Sequence, residues 1–366
     1  MMTAYPARER LYTAEELLEG FDPDSSLGFT QTRDFSMFRR YVLDGESAPR
    51  SLEVRQQQNL HDAGISWALG TYLEQKSPAL VGVMGGHKVA RDDPAYRQVA
   101  LLSRRLTQER FLIATGGGPG AMEAAHLGAA FANADAALLD RACEVLKEHP
   151  ELPDLSKSPF NSDGSIEPEQ KAVLEAANHW LVVALAARDL CPSPRGASLA
   201  IPTWRYGQEP TTPFATEYAK YFQNSIREEA LVAKSLAGIV FAQGGGGTLR
   251  EIFQDVEENY YAANAAQFTP MIFFDPDAYW QNDVEVNPDG TVGRRAVKLD
   301  QVLGRIFVLA RAKIGDTQAC LEKVRFTVDF DEIVELLHAQ ADTSERRLTL
   351  MLEGRAAELP AAPWSR

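Results

Sequence analysis

The sequence predicts an α/β chain, a doubly wound parallel sheet with an N-terminal helical extension and a helical insertion. Three observations carry this. Short apolar runs of strand length alternate with longer segments of helical periodicity: Leu80–Met84, Phe111–Ala114, Ser198–Ile201, Gly238–Ala242 and Met271–Phe274. Glycine-rich turns follow three of these runs, at Gly85-Gly86, Gly116–Gly120 and Gly244–Gly247. The β-α-β order with right-handed crossovers makes the sheet parallel and sets the glycine turns at its carboxyl edge, where such folds bind ligands.

The extension spans residues 1–78. Thr13 and Glu16 are spaced as a capping box that opens a short helix, closed by Gly20 and Asp22-Pro23-Asp24. A second helix is expected over Phe35–Leu43. A third is expected over Leu52–Gln75, with a face of Leu60, Gly64, Trp67, Ala68 and Tyr72. The sheet domain follows over 79–340. Its helices are expected at Pro94–Arg110, with Val99, Leu102 and Leu106 on one face, and at Ala121–Ala132, rich in small residues. Residues 133–196 break the rhythm and read as a helical insertion, with helices at Asp135–Lys147 and Glu167–Arg188 and a polar loop between them.

After the third run comes a polar, aromatic loop, Pro202–Pro213, holding Trp204, Arg205, Tyr206 and Glu209. Phe214–Ser235 reads as one long helix carrying Tyr218, Tyr221, Phe222 and Arg227. Asn287–Gly290 is a turn signal. Arg325–Val328 reads as a late strand, and Asp329 caps a helix through Leu337. Residues 341–366 form a tail whose end is rich in Ala and Pro.

Composition narrows the function. With 366 residues, 45% apolar and 24% charged, the chain is long enough for one large domain or two ordinary ones with a sizeable core. The net charge of −14 argues against a nucleic-acid polymer and against a membrane surface as partners. No run approaches the ~18 apolar residues of a membrane span, and no signal-peptide pattern opens the chain. The three cysteines, Cys143, Cys191 and Cys320, are scattered, which suits a reducing, cytoplasmic setting and suggests no metal site. A small anion remains admissible, because a glycine loop binds phosphate through backbone dipoles.

The stretch Gly238–Gln254 is the most informative. An apolar strand runs into four glycines and Thr248, and Leu249–Tyr260 reads as a helix with Glu251 in its first turn. Strand, glycine loop and helix N-terminus together make an anion site. The plainer alternative is a tight strand-to-helix turn.

Gln243–Glu251, QGGGGTLRE, resembles the PGGxGTxxE signature of the LOG ("Lonely Guy") family, long labelled lysine decarboxylases. Thr115–Glu123, TGGGPGAME, is similar to that family's GGGxxGLM segment, and closer to the GPGxM form of its larger bacterial nucleotide nucleosidase branch. Arg227 lies 24 residues before Glu251, near the position of the family's arginine. The resemblance covers residues 79–130 and 198–275. It implies a Rossmann-like fold, a homodimer or higher homo-oligomer, no cofactor, and hydrolysis of the N-glycosidic bond of an AMP-like nucleoside 5′-monophosphate to free base and ribose 5-phosphate. It implies that Gly244, Gly245, Gly246, Gly247 and Thr248 hold phosphate, that Glu251 and Arg227 are catalytic, and that Gly117, Gly118 and Met122 line the nucleotide site. Three departures stand beside it. Gln243 replaces the family's Pro, Glu228 replaces its Lys after the arginine, and the spacing from Arg227 to the loop is one residue longer.

The chemistry suits these residue types. Breaking an N-glycosidic bond builds positive charge on ribose, which a carboxylate stabilises while it orients water. An arginine fork grips phosphate or ribose. Gly85 and His87, after the first strand, are further candidates for the ligand, with solvated loop residues as the plain reading. His126 reads as a packed histidine. Tyr218, Tyr221 and Phe222 read as core residues or as a stacking surface for a base. Three rivals remain. A dinucleotide oxidoreductase would use Gly116-x-Gly118-x-x-Ala121, without the expected acidic strand end. A pyridoxal-phosphate enzyme would use Lys88. A non-catalytic nucleotide sensor would use the same loops.

Overall fold

The structure is a computed structural model that describes Tyr5 and residues 7–76, 79–155 and 158–352, with side chains through Ala341. The chain opens with α1 (Ala14–Leu17), α2 (Arg33–Leu43) and α3 (Leu52–Lys76). Then come β1 (Leu80–Met84), α4 (Pro94–Gln108), β2 (Leu112–Thr115) and α5 (Ala121–Ala130). The segment expected as an insertion holds α6 (Ala136–Leu146) and α7 (Lys171–Asp189). It is followed by β3 (Ser198–Ala200), β4 (Glu217–Tyr218), α8 (Asn224–Lys234), β5 (Gly238–Phe241) and α9 (Gly246–Tyr260). The chain continues through β6 (Met271–Phe274), β7 (Glu285–Val286), β8 (Val292–Arg294), α10 (Asp300–Arg311), α11 (Thr317–Leu321), β9 (Val324–Thr327) and α12 (Phe330–Leu352). The Ala- and Pro-rich end of the expected tail, within 353–366, lies outside the described residues.

The architecture is α/β, a seven-stranded, all-parallel sheet flanked by helices in the order β4-β3-β2-β1-β5-β6-β9. Every residue of β1, β2, β3, β5 and β6 is buried, so these strands read as continuous apolar runs without alternation. The chain starts at β1, steps outward to β4, then returns to β5 and steps outward the other way. The switch in strand order therefore falls between β1 and β5, which pair from Val81↔Gly238 to Met84↔Phe241. Crevices at such switch points, past the carboxyl ends of the strands, are where doubly wound sheets bind ligands.

The described chain divides into two compact units. One comprises Met1–Gln75, His87–Gln108 and Ile113–Leu231; the other comprises Lys76–Gly86, Glu109–Leu112 and Val232–Arg366. The helical extension and residues 133–196 both belong to the first unit.

In the first unit, β2, β3 and β4 pair in parallel. The outer edge of β4 is covered by the N-terminal segment, where Tyr12 and Tyr218 exchange backbone hydrogen bonds of 3.0 and 2.8 Å. This corrects the long helix expected over Phe214–Ser235. Phe214, Tyr218, Tyr221 and Phe222 have helical spacing and are all buried, as core residues should be. The backbone of Glu217–Tyr218 pairs instead with Leu199–Ala200, and helix begins only at Asn224. A strand hemmed in on both sides carries aromatic clusters that periodicity alone assigns to a helix.

The face expected for α3 is also corrected. Leu60 and Trp67 are each 62% exposed, and the buried face is Gln58, His61, Asp62, Ile65, Ala68, Leu69 and Leu73. Polar residues form part of it because they have work inside. Asp62 accepts backbone hydrogen bonds from Phe222 and Gln223, both at 2.9 Å, just ahead of α8. His61 bridges Asp62 and the Tyr12 hydroxyl at 3.0 and 2.9 Å. Residues 133–196 are tied in by Arg91. Its guanidinium meets Glu123 at 2.9 and 2.6 Å, donates to the carbonyls of His149 and Trp180, and lies over the Trp180 ring.

In the second unit, β1, β5, β6 and β9 pair in parallel, and Phe241, Phe273 and Phe326 stack across three of them. The turn signal at Asn287–Gly290 closes the small antiparallel β7–β8 hairpin. Asp329 caps α12 through its side chain, as expected, but the helix continues past Leu337 to Leu352. No helix among the described residues is long and apolar enough to cross a membrane.

Candidate functional site

The second unit holds two of the three glycine turns. The turn after β1 lies against the turn after β5, where Gly86 N–H donates to Gln243 O at 2.8 Å. The loop after β5 is shorter than expected, because α9 already begins at Gly246. Gly245 is its N-cap, with negative φ and no side-chain cap, and the first intrahelical bond runs from Leu249 N to Gly245 O at 2.9 Å. The N–H groups of Gly246, Gly247 and Thr248 thus have no intrahelical acceptor.

None of Gly244 to Gly247 is left-handed. A Cβ built on Gly245, Gly246 or Gly247 would meet nothing within 4 Å. At Gly244 it would overlap Thr248 Oγ1. Three consecutive glycines are therefore required neither by the backbone nor by packing within the protein. They leave open a surface of backbone donors at a helix N-terminus. The far side of the turn is fixed by the Tyr279 hydroxyl, which donates to Gly244 O at 2.7 Å.

Because α9 starts at Gly246, Glu251 lies in its second turn, not the first, where the helix dipole has largely decayed. Its side chain is mostly buried. Helix-end electrostatics alone is thus a weaker reason for a glutamate there.

The first unit holds the third turn. Gly117 is left-handed (φ +73°), and its N–H donates to Thr115 Oγ1 at 2.9 Å. Arg227, nearly buried on α8, donates from Nε to Ile201 O at 2.8 Å, which aims the rest of its guanidinium at Gly116. A Cβ on Gly116 would overlap Arg227 Nη2 and lie 2.9 Å from Met122 Sδ. A Cβ on Gly118 would lie 2.8 Å from Met122 Cε and 3.9 Å from Glu209 Oε2. The structure thus gathers Gly116, Gly118, Met122, Arg227 and Glu209 about one turn.

No protein-family model and no curated protein matches this chain. What the site can do rests on its own geometry.

Several neighbours of the turns are structural. Glu123, in the first turn of α5, is buried in its pair with Arg91 and also accepts from the Tyr96 hydroxyl at 3.0 Å. His126 is fully buried between Thr115 Oγ1 and Ser198 Oγ at 2.8 and 2.9 Å, and burial pushes its pKa down to about 3, so it is a neutral packed histidine as expected. His87 and Lys88 are exposed. Partial loss of solvation, with Lys88 adding to it, lowers the His87 pKa and keeps the ring neutral at pH 7. Among the described residues no group of three or more His, Cys, Asp or Glu side chains could hold a metal ion.

Two residues acquire significance only in the structure. Tyr279 gave no signal in the sequence. Glu209 was visible only as one polar residue of a loop at a strand end. Two surface hollows lie elsewhere. One of about 550 Å³ runs along α10 beside Gly304, Val308 and Leu309; one of about 650 Å³ is lined by Glu9, Arg10, Tyr72 and Glu217. Neither includes a glycine turn.

Proposed function

We propose that this protein hydrolyses the N-glycosidic bond of a nucleoside 5′-monophosphate, releasing free base and ribose 5-phosphate. The observation that carries the reading is the run Gly245–Gly247. It presents uncapped helix N–H groups to empty space at the switch point of a parallel sheet, and nothing in the protein itself needs those glycines. A phosphate is the ligand that such a surface of donors accepts.

In this reading Gly244 to Thr248 hold the phosphate, with Gly85 and His87 at the turn after β1. Glu251 orients and deprotonates water and stabilises the oxocarbenium-like ribose. Arg227 is the second catalytic residue and grips phosphate or ribose with its planar fork, and Gly117, Gly118 and Met122 line the nucleotide site. The motif resemblance to the LOG family supports the same assignment. An AMP-like nucleotide as ligand, a homodimer or higher homo-oligomer, and a cytoplasmic setting belong to this proposal.

A second reading, a nucleotide-binding protein without catalysis, is favoured by one observation. Glu228 follows Arg227, is buried, and accepts from Asn224 Nδ2 at 2.8 Å. A negative charge is thus fixed where the resembling family carries a positive one.

Incubation of the purified chain with AMP, GMP, CMP, UMP and IMP, followed by chromatography for free base, separates the two. Base released by the wild type and not by Glu251→Gln supports the hydrolase. No release from any nucleotide, with the melting temperature still raised by them, removes the hydrolase and leaves the binding protein.

A further inference from the structure

We propose that Glu209 is the acid that protonates the departing nucleobase. This rests on nucleotide hydrolysis as read above and adds a catalytic residue to it. The argument starts from the loop that carries Glu209, Pro202–Pro213, which is pinned on both sides of it. Trp204 N–H donates to Tyr221 O at 3.0 Å, and the Trp204 indole Nε1 donates to Asp34 Oδ1 at 2.9 Å. Thr211 Oγ1 donates to Asp34 Oδ2 at 2.5 Å, and Thr212 Oγ1 donates to Gly117 O at 3.2 Å. The last bond fastens the loop directly to the glycine turn.

Between these anchors the Glu209 backbone is fixed through Tyr206 O at 3.1 Å. Its carboxyl is left without a hydrogen bond among the described residues, and Oε2 and the Met122 thioether both lie within 4 Å of one point above Gly118. The side chain is half-buried and its carboxyl stands beside the glycine turn, so it is open to a ligand seated there.

Among the described residues the charge that acts on it is that of Lys220. Lys220 is clamped by both Asp34 oxygens at 2.7 and 2.8 Å, which offsets much of its charge. Arg227 points at Gly116, on the same turn. Loss of solvation pushes the Glu209 pKa up to about 7, with Lys220 opposing, so the group is about half protonated at pH 7, the balance that suits a general acid.

In the reaction the C1′–N bond breaks and its electron pair stays with the base. The Glu209 proton goes to a ring nitrogen of that base, which leaves neutral rather than as an anion. Water gives its hydroxyl to C1′ and its proton to the general base. Glu209, now a carboxylate, regains a proton from solvent.

The test compares wild type and Glu209→Gln on two substrates, the nucleotide turned over best and 4-nitrophenyl ribose 5-phosphate, whose nitrophenolate leaves without a proton. The expected result is a loss of about 100-fold or more in kcat/KM on the nucleotide, with turnover of the nitrophenyl substrate kept within a few-fold. The wild-type nucleotide profile should fall above about pH 7, and the variant should lose that limb. Equal losses on both substrates, or no loss on either, overturn the role of Glu209 and leave the hydrolase standing. Wild-type turnover of the nitrophenyl substrate alone also removes the acid. Turnover of neither overturns nucleotide hydrolysis, and the acid with it.

Discussion

Arg227 Nε donates to the carbonyl oxygen of Ile201 at 2.8 Å, and this bond aims the far end of the guanidinium at the backbone of Gly116. Gly116 is not left-handed, so an alanine there strains no backbone. Its methyl group would overlap Arg227 Nη2 and press on Met122 Sδ, both ends of flexible side chains. Gly116→Ala should therefore fold with a melting temperature near that of the wild type while displacing the guanidinium. A shift of this size at a positioning group costs on the order of 100-fold in rate. Base release measured beside the melting curve checks it. Full activity in a folded Gly116→Ala protein would remove Arg227 from the mechanism.

Glu123 sits in a glycine-turn motif yet faces inward. Its carboxylate neutralises Arg91, which is buried among the His149 and Trp180 carbonyls and the Trp180 ring. Removing the carboxylate leaves the guanidinium buried without its counter-ion. Glu123→Ala should lose roughly 3–5 kcal/mol of stability by denaturant titration. An unchanged midpoint would mean that Arg91 finds another counter-ion.

These two residues also mark what the sequence could and could not say. Most of the sheet was legible because β1, β2, β3, β5 and β6 are fully buried and read as unbroken apolar runs, and because glycines follow three of them. The turn at Gly116–Gly120 was legible for the same reason. The roles of neighbouring polar residues were not. Glu123 and Met122 are adjacent in the chain, and only the position of Arg91, 32 residues earlier, sends the carboxylate inward. The same limit explains α3. His61 and Asp62 are polar by type, yet they are buried because they hold Tyr12 and the chain at Phe222–Gln223. The β4 strand was lost to a helical pattern because its partners, Tyr12 and Leu199, are far away in sequence. Glu209 stood in a loop legible only as polar and aromatic, and its relation to Gly118 depends on Asp34 fixing that loop from the helical extension.

One buried carboxyl should govern part of the pH dependence of stability. Asp255 lies on α9, four residues beyond Glu251. Burial, reinforced by Glu258, holds its pKa well above the usual carboxylate range. Among the described residues Oδ2 has no hydrogen-bond partner, while Oδ1 accepts weakly from Thr269 and Asn259 at 3.3 and 3.4 Å. A pKa raised on folding means that the folded state binds more protons than the unfolded state. The contribution is present in full below the ordinary carboxylate pKa and is lost as pH rises through the raised value. Asp255→Asn, neutral at every pH, should melt higher than the wild type in alkaline buffer and show a shallower decline with pH. Melting curves from pH 5 to pH 9 test this, and parallel declines in the two proteins would show that Asp255 does not titrate in the expected sense.

The glycine run after β5 offers the sharpest contrast between folding and function. Gly244 and Gly246 are two residues apart, but only one is needed by the protein. A methyl group on Gly244 would overlap Thr248 Oγ1 and lie 2.6 Å from its Cβ, both close to the backbone and unable to swing away. Gly244→Ala should lose about 1–3 kcal/mol, as overpacked sites do. A methyl group on Gly246 meets nothing within 4 Å, and alanine at the start of α9 costs less conformational entropy than glycine. Gly246→Ala should be as stable as the wild type or more stable by roughly 0.5 kcal/mol. Its methyl would instead stand where the phosphate approaches the N–H groups, so KM for the nucleotide should rise while the fold holds. Melting curves and steady-state kinetics on the two variants read both effects. An unchanged KM in Gly246→Ala would mean that the open space above the helix N-terminus is not where the ligand binds.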